Sequence, residues 1–109
     1  MIETHTFETT GGASITIEPH MFQGQRFEDG NRNVQVTCKD LGGGSFSVAY
    51  RVPRGSQFVE HISGALETDA IMLSGKEAPI FDAVRVSFDG VPAAPNTQTI
   101  TLNTWPRGL

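Results

Sequence analysis

The side chains able to do chemistry in this chain are few and far apart. His5, His20, His61 and Cys38 are the residues a zinc ion would select, but they form neither a Cys-x-x-Cys nor a His-x-x-x-His pair. The spacing argues against a metal site, and no cofactor is expected. A serine or cysteine nucleophile would sit on a strained turn with a histidine in reach. No Gly-x-Ser-x-Gly occurs, and Gly44-Ser45-Phe46 simply leads into an alternating stretch. Gly42-Gly43-Gly44 lacks the Lys-Ser/Thr and the following helix of a phosphate loop, so a hairpin connection accounts for it better. Glu28-Asp29-Gly30-Asn31 offers oxygen ligands in a turn without the ligand order of a calcium loop. Glu60, Glu67, Asp69, Glu77 and Asp82 are acids with no spacing that sets two of them across a cleft. The reading is therefore not an enzyme.

The elements that would position these residues are strands. Apolar residues alternate with polar ones at Ile15/Ile17, at Val34/Val36/Cys38, at Phe46/Val48/Tyr50/Val52 and at Val84/Val86/Phe88, each run bounded by Gly, Pro, Asn or Asp. Thr97-Gln98-Thr99-Ile100-Thr101-Leu102-Asn103 closes the series. Residues 57–62 and 68–73 read as two weaker strands split by Ser63-Gly64. A short helix over 58–73 competes with them, because Val59, Ile62 and Leu66 fall at helical spacing while Gly64 interrupts it at about 1 kcal/mol. Short strands with turns about every ten residues predict an all-β fold of about seven to eight strands. The architecture expected is a two-sheet antiparallel β-sandwich, Ig-like or jelly-roll, with a small barrel as the alternative. Its core should hold Ile15, Ile17, Val34, Val36, Phe46, Val48, Tyr50, Val52, Ile71, Leu73, Val84, Val86, Phe88, Ile100 and Leu102. Cys38, in phase with Val34 and Val36, reads as core rather than as a reactive thiol. Asp82 is in phase with Val84 and Val86, so its carboxylate must pair, with Arg51 or Arg85, or leave at the sheet edge.

Composition narrows the partners. The 109 residues are one domain's worth, with 38% hydrophobic and 18% charged residues. Eight Lys+Arg against twelve Asp+Glu give a net charge of −4, without a basic stripe, so no nucleic-acid partner is expected. One cysteine excludes an internal disulfide. No signal-peptide pattern opens the chain, and no stretch approaches the ~18 apolar residues of a membrane span. No membrane partner is expected, and synthesis in a host cytoplasm without export is.

Three segments look like contact surfaces. Residues 1–12 read as an N-terminal arm, with the alternating patch Thr4-His5-Thr6-Phe7-Glu8 able to add a strand to a neighbouring sheet. Residues 13–104 form the sandwich domain, within which Met21, Phe22 and Phe27 make a loop more apolar than usual. Residues 105–109 form a tail whose Trp105 and Arg107 are types enriched at interface centres, ending in Leu109. His5, Phe7, Met21, Phe22, Phe27, Trp105, Arg107 and Leu109 are thus the candidate partner contacts. Deleting residues 1–11 or 105–109 is expected to weaken assembly more than folding.

The phrases from Gly44 to Gly55, from Leu73 to Lys76 and from Phe81 to Gly90, followed by the threonine-rich final strand with its Trp, have a further bearing. Over residues 44–105 they resemble small β-sandwich virion proteins of tailed bacteriophages, which decorate the capsid or sit in the head-to-tail or tail assembly. The resemblance implies a non-enzymatic virion protein present in many symmetry-related copies, a homo-oligomer. Its partners would be other phage structural proteins, the major capsid protein or neighbouring subunits. Capsid decoration is the first expectation and a connector or tail position the second. Two other classes make different demands. A glycan-binding module needs exposed aromatics around a groove, for which Phe22, Phe27, Phe58, Phe81 and Trp105 are available. A cupin-type enzyme needs histidines clustered on an inner face.

Overall fold

In this computed structural model, residues 2–18, 32–52, 57–73 and 81–106 are described. They form eight strands: β1 (Glu3–Thr10), β2 (Ile15–Ile17), β3 (Arg32–Lys39), β4 (Ser45–Arg51), β5 (Phe58–Ala65), β6 (Ile71–Leu73), β7 (Ala83–Asp89) and β8 (Thr97–Pro106). No helix occurs among the described residues, so the helical alternative over 58–73 gives way to β5 and β6.

The strands make two four-stranded antiparallel sheets, ordered β1-β8-β3-β6 and β2-β7-β4-β5. The ladders nest. β1 pairs with β8, β2 with β7, β3 with β6 and β4 with β5, as in one long hairpin rolled up on itself. Two further ladders, β3 with β8 and β4 with β7, stitch the roll into two sheets. This double Greek-key order is the jelly roll, which decides between the two sandwich types expected.

The alternation drives the packing. Ile17, Val34, Val36, Phe46, Val48, Leu73, Val84, Val86, Ile100 and Leu102 are completely buried, and Tyr50 nearly so. Ile15, Ile71 and Phe88 are half-buried against this cluster. Val52 departs from the expectation at 46% exposed, because it lies one residue beyond the last β4 ladder pair, Arg51 with Ala83. Leu41 and Phe81 are fully buried although they stand outside the strands, and both were missing from the expected core. Burying Phe81 also removes it from the aromatics open to a ligand.

Two glycine positions explain local geometry. Ser63-Gly64 does not split a strand. β5 runs through it, with Gly64 at φ +71 inside a bulge where the register slips between the pairs Phe46–Ala65 and Val48–Ile62. Gly44 lets the β3–β4 connection pass the end of β7, where a Cβ would lie 2.6 Å from the Asp89 carbonyl oxygen.

Residues 1–12, read as an arm, contain the edge strand β1, which pairs with β8 of its own chain from Glu3–Thr104 to Thr10–Thr97. Gln98, opposite Thr9 on the inner side of β8, is fully buried. Its Oε1 accepts the Gly12 N–H at 2.8 Å and its Nε2 donates to the Pro92 carbonyl at 3.5 Å, which ties the β1–β2 turn to the loop before β8.

Candidate functional site

The candidate contacts fall into different environments. His5 and Phe7 pair with Leu102 and Ile100, so both face the inside of the sandwich, half-buried, and Phe7 packs on the core. His5 Nε2 lies 3.9 Å from Glu3 Oε2. Trp105 pairs with Asn33 on the outer face of the first sheet and is half-buried. Met21, Phe22, Phe27, Arg107 and Leu109 lie outside the described residues. Among the described candidates, His5 and Phe7 share the inner face of β1, while Trp105 is on the outer face of the same sheet.

The outer face around Trp105 is a polar carpet. Thr4 Oγ1 donates to Asn103 Oδ1 at 2.7 Å and Asn103 Nδ2 donates to Gln35 Oε1 at 2.9 Å, a chain crossing β1, β8 and β3. The next row is Thr6, Thr101 and Thr37, side by side in register. Threonine suits this position because its branched side chain packs on a pleated surface while its hydroxyl stays hydrated.

The residues suited to chemistry are mostly spent on structure. Cys38 is buried, and burial pushes its thiol up to about 12, which removes the thiolate at neutral pH. His61 reaches across the open side of the roll, its Nε2 donating to the Met72 carbonyl at 2.8 Å, with its ring edge-on to Tyr50. His5 on β1 and His61 on β5 stand on edge strands at opposite sides of the roll. Among the described residues no group of three His, Cys, Asp or Glu could hold a metal. Glu67 Oε1 accepts the Asp40 N–H and Asp69 Oδ2 the Leu66 N–H, each capping a turn.

The outer face of the second sheet carries charges organised in a different way. Arg51 Nε donates to Asp82 Oδ1 at 2.8 Å, while Nη1 and Nη2 fork onto Glu18 at 3.3 and 2.9 Å. Asp82 thus pairs with Arg51, one of the two arginines proposed for it. The hydrogen bond to Asp82, then that to Glu18, raises the Arg51 pKa above its ordinary value. Beside this network Phe58 lies under two guanidinium groups, Arg85 at 4.4 Å and Arg51 at 5.7 Å from the ring centre. Ser47, Ala49, Phe58, Glu60, Arg85 and Ser87 line a groove of about 210 Å³ on this face. No feature of the sequence points to it, since its residues come from three strands and meet only through the register.

The open side at β5 is the third surface. Val59, Ile62 and Leu66 are 40–55% exposed along it, and Val52 is near the same end of β4. No protein-family model matches the chain, and no curated protein matches it in sequence.

Proposed function

We propose that this chain is a non-enzymatic structural protein of a bacteriophage particle, working through protein–protein contacts as a capsid decoration subunit. A connector or tail position is the alternative within the same class. The reading rests on the resemblance of residues 44–105 to small β-sandwich virion proteins. The jelly roll is an architecture that capsid domains use, though it is shared with lectins and cupins.

The observation that carries it furthest is the apolar row on the β5 side. Val59 and Ile62 on the edge strand β5, and Leu66 just after it, are large apolar side chains left in water where a monomer would be expected to place charge. A neighbouring subunit or the major capsid protein would cover them, with Met21, Phe22, Phe27, Trp105, Arg107 and Leu109 as further contacts.

The test is the solution mass by light scattering at several concentrations, with sedimentation alongside capsids of the particle. A defined oligomer or stoichiometric capsid binding that is lost in Val59→Lys/Ile62→Lys supports the proposal. A persistent monomer that ignores capsids overturns it.

A further inference from the structure

The groove on the outer face of the second sheet has a chemistry of its own, independent of the assembly reading. Three rows of residues cross that face in register. Ala49 on β4 stands between Arg85 on β7 and Glu60 on β5. On one side of this row lie Ser87 and Ser47, paired with each other, and on the other lie Arg51 and Phe58. Because Ala49 has only a methyl group, the middle row dips between a cation and an anion about 10 Å apart at their Cα atoms, two strand spacings. Among the described residues neither Arg85 nor Glu60 makes an ion pair, whereas Arg51, one row away, pairs with both Glu18 and Asp82.

The polar groups here are poised rather than spent. Arg85 sits over Phe58, its Cζ 4.4 Å from the ring centre, and among the described residues its N–H donors meet no acceptor. Glu60 supplies only acceptors, and the Ser47 and Ser87 hydroxyls supply both. The formal charge of the groove sums to zero, so an anion would be drawn to Arg85 and repelled by Glu60, and a cation the reverse. A ligand satisfies both ends when neighbouring atoms donate and accept in turn, as the vicinal hydroxyls of a sugar do. The Ala49 methyl and the part of Phe58 that lines the groove give its floor some apolar surface for the C–H groups of such a ring. The volume of about 210 Å³ lies below the range of drug-sized pockets and suits a single ring.

We propose that the Ser47–Ala49–Phe58–Glu60–Arg85–Ser87 groove binds one residue of a neutral sugar, its hydroxyls bridging Glu60 and Arg85 above the Ala49 methyl. Such a site would let the particle touch a glycan while its other surfaces hold the assembly.

The experiment is a two-dimensional amide NMR titration of the whole chain with glucose, galactose, mannose and N-acetylglucosamine, and with glucuronate and glucosamine as charged counterparts. The expected result is saturable shifts confined to residues 47–49, 58–60 and 85–87 with at least one neutral sugar, at a Kd on the order of 1 mM. Ala49→Leu, which fills the floor, and Glu60→Ala, at an exposed position, should each weaken that binding at least about tenfold, about 1.4 kcal/mol, with unchanged thermal unfolding. No saturable shift in the groove with any neutral sugar overturns the proposal. So does tighter binding of glucuronate or glucosamine than of every neutral sugar, or wild-type affinity in both variants.

Discussion

Replacing Arg51 by Met tests whether the network on the second sheet is structural. The guanidinium makes three hydrogen bonds to two carboxylates, from the end of β4, across β7, to the residue after β2. It reaches Glu18 over Ala83, which is completely buried. Methionine keeps the stem and removes the charge, leaving Asp82, whose side chain is 14% exposed, beside Glu18 at 31%. Breaking a fully buried pair costs about 3–5 kcal/mol and an exposed one about 0–1 kcal/mol. This partly shielded site lies between them, at about 2 kcal/mol. For a domain of this size that is a fall of about 8–16 °C in Tm. Urea unfolding of Arg51→Met, Asp82→Asn and the double variant would measure it. The double variant should be less destabilised than the sum of the singles, because neutralising Asp82 relieves the charge that Arg51→Met strands. Arg51→Met within about 0.5 kcal/mol of wild type, with additive singles, would refute the reasoning.

Three further outcomes follow from the packing. Deleting residues 1–10 should now impair folding itself, since it strips β1 from the whole length of β8; Phe7→Ala alone should cost about 2 kcal/mol, about half the value for a fully buried Phe, by urea denaturation. Gln98→Leu should cost about 1–3 kcal/mol by leaving the Gly12 N–H and Pro92 carbonyl without their partner, read as a lower Tm and faster amide exchange at Gly12. An unfolded Cys38 thiol loses its proton near its ordinary value of 9.0, whereas burial makes the native one hold it to about 12. The native state therefore binds more protons between those values, and its stability, fully present below the lower one, falls as pH rises between them. Relative to Cys38→Ala, wild type should lose about 2 kcal/mol between about pH 9 and about pH 10.5, measured by urea midpoints, and Cys38 should resist alkylation in the native state at neutral pH.

How much of this was legible depended on whether a strand carried its own signal. Phe46, Val48 and Tyr50, Val34, Val36 and Cys38, and Val84 and Val86 alternate clearly, and all are buried. β1 does not: its inward positions are Glu3, His5, Phe7 and Thr9, with one apolar residue among them, so an inner edge strand looked like an arm. Gly64 read as a break because a glycine in a strand pattern marks either an end or a bulge, and only the register with β4 shows which. Leu41 and Phe81 gave no period because each enters the core from a connection. The groove was beyond sequence reading for a stronger reason. Arg85, Ala49 and Glu60 become neighbours only once β7, β4 and β5 are known to lie side by side and in which register. The Arg51–Asp82 pair could be anticipated because a charge in phase with core residues demands a partner.

The rolled hairpin also bears on how this domain would meet a neighbour. Among the described residues it leaves two sides without a covering strand, one at β1 and β2 and one at β5 and β6. On the first side Phe7 packs inward on the core and Gln98 locks the adjoining turn, which leaves Ile2, just before β1, as the exposed large apolar side chain among the described residues there. On the second, His61 spans the gap to the Met72 carbonyl, while Val59, Ile62 and Leu66 remain in water. β5 is long enough to accept another strand, but its register with β4 slips twice, between the pairs at Phe46 and Val48 and again between those at Val48 and Ala49. A doubly bulged edge twists away from a straight ladder and is a device against edge-to-edge pairing. Contact on this side should therefore be made by side chains entering a partner's surface, not by continuing the sheet. It follows that Val59→Lys/Ile62→Lys should abolish assembly, whereas proline at Ser63, which removes a backbone donor from the bulge, should leave assembly intact if the chain folds. A loss of assembly in a folded Ser63→Pro variant would show that the partner pairs with the strand itself.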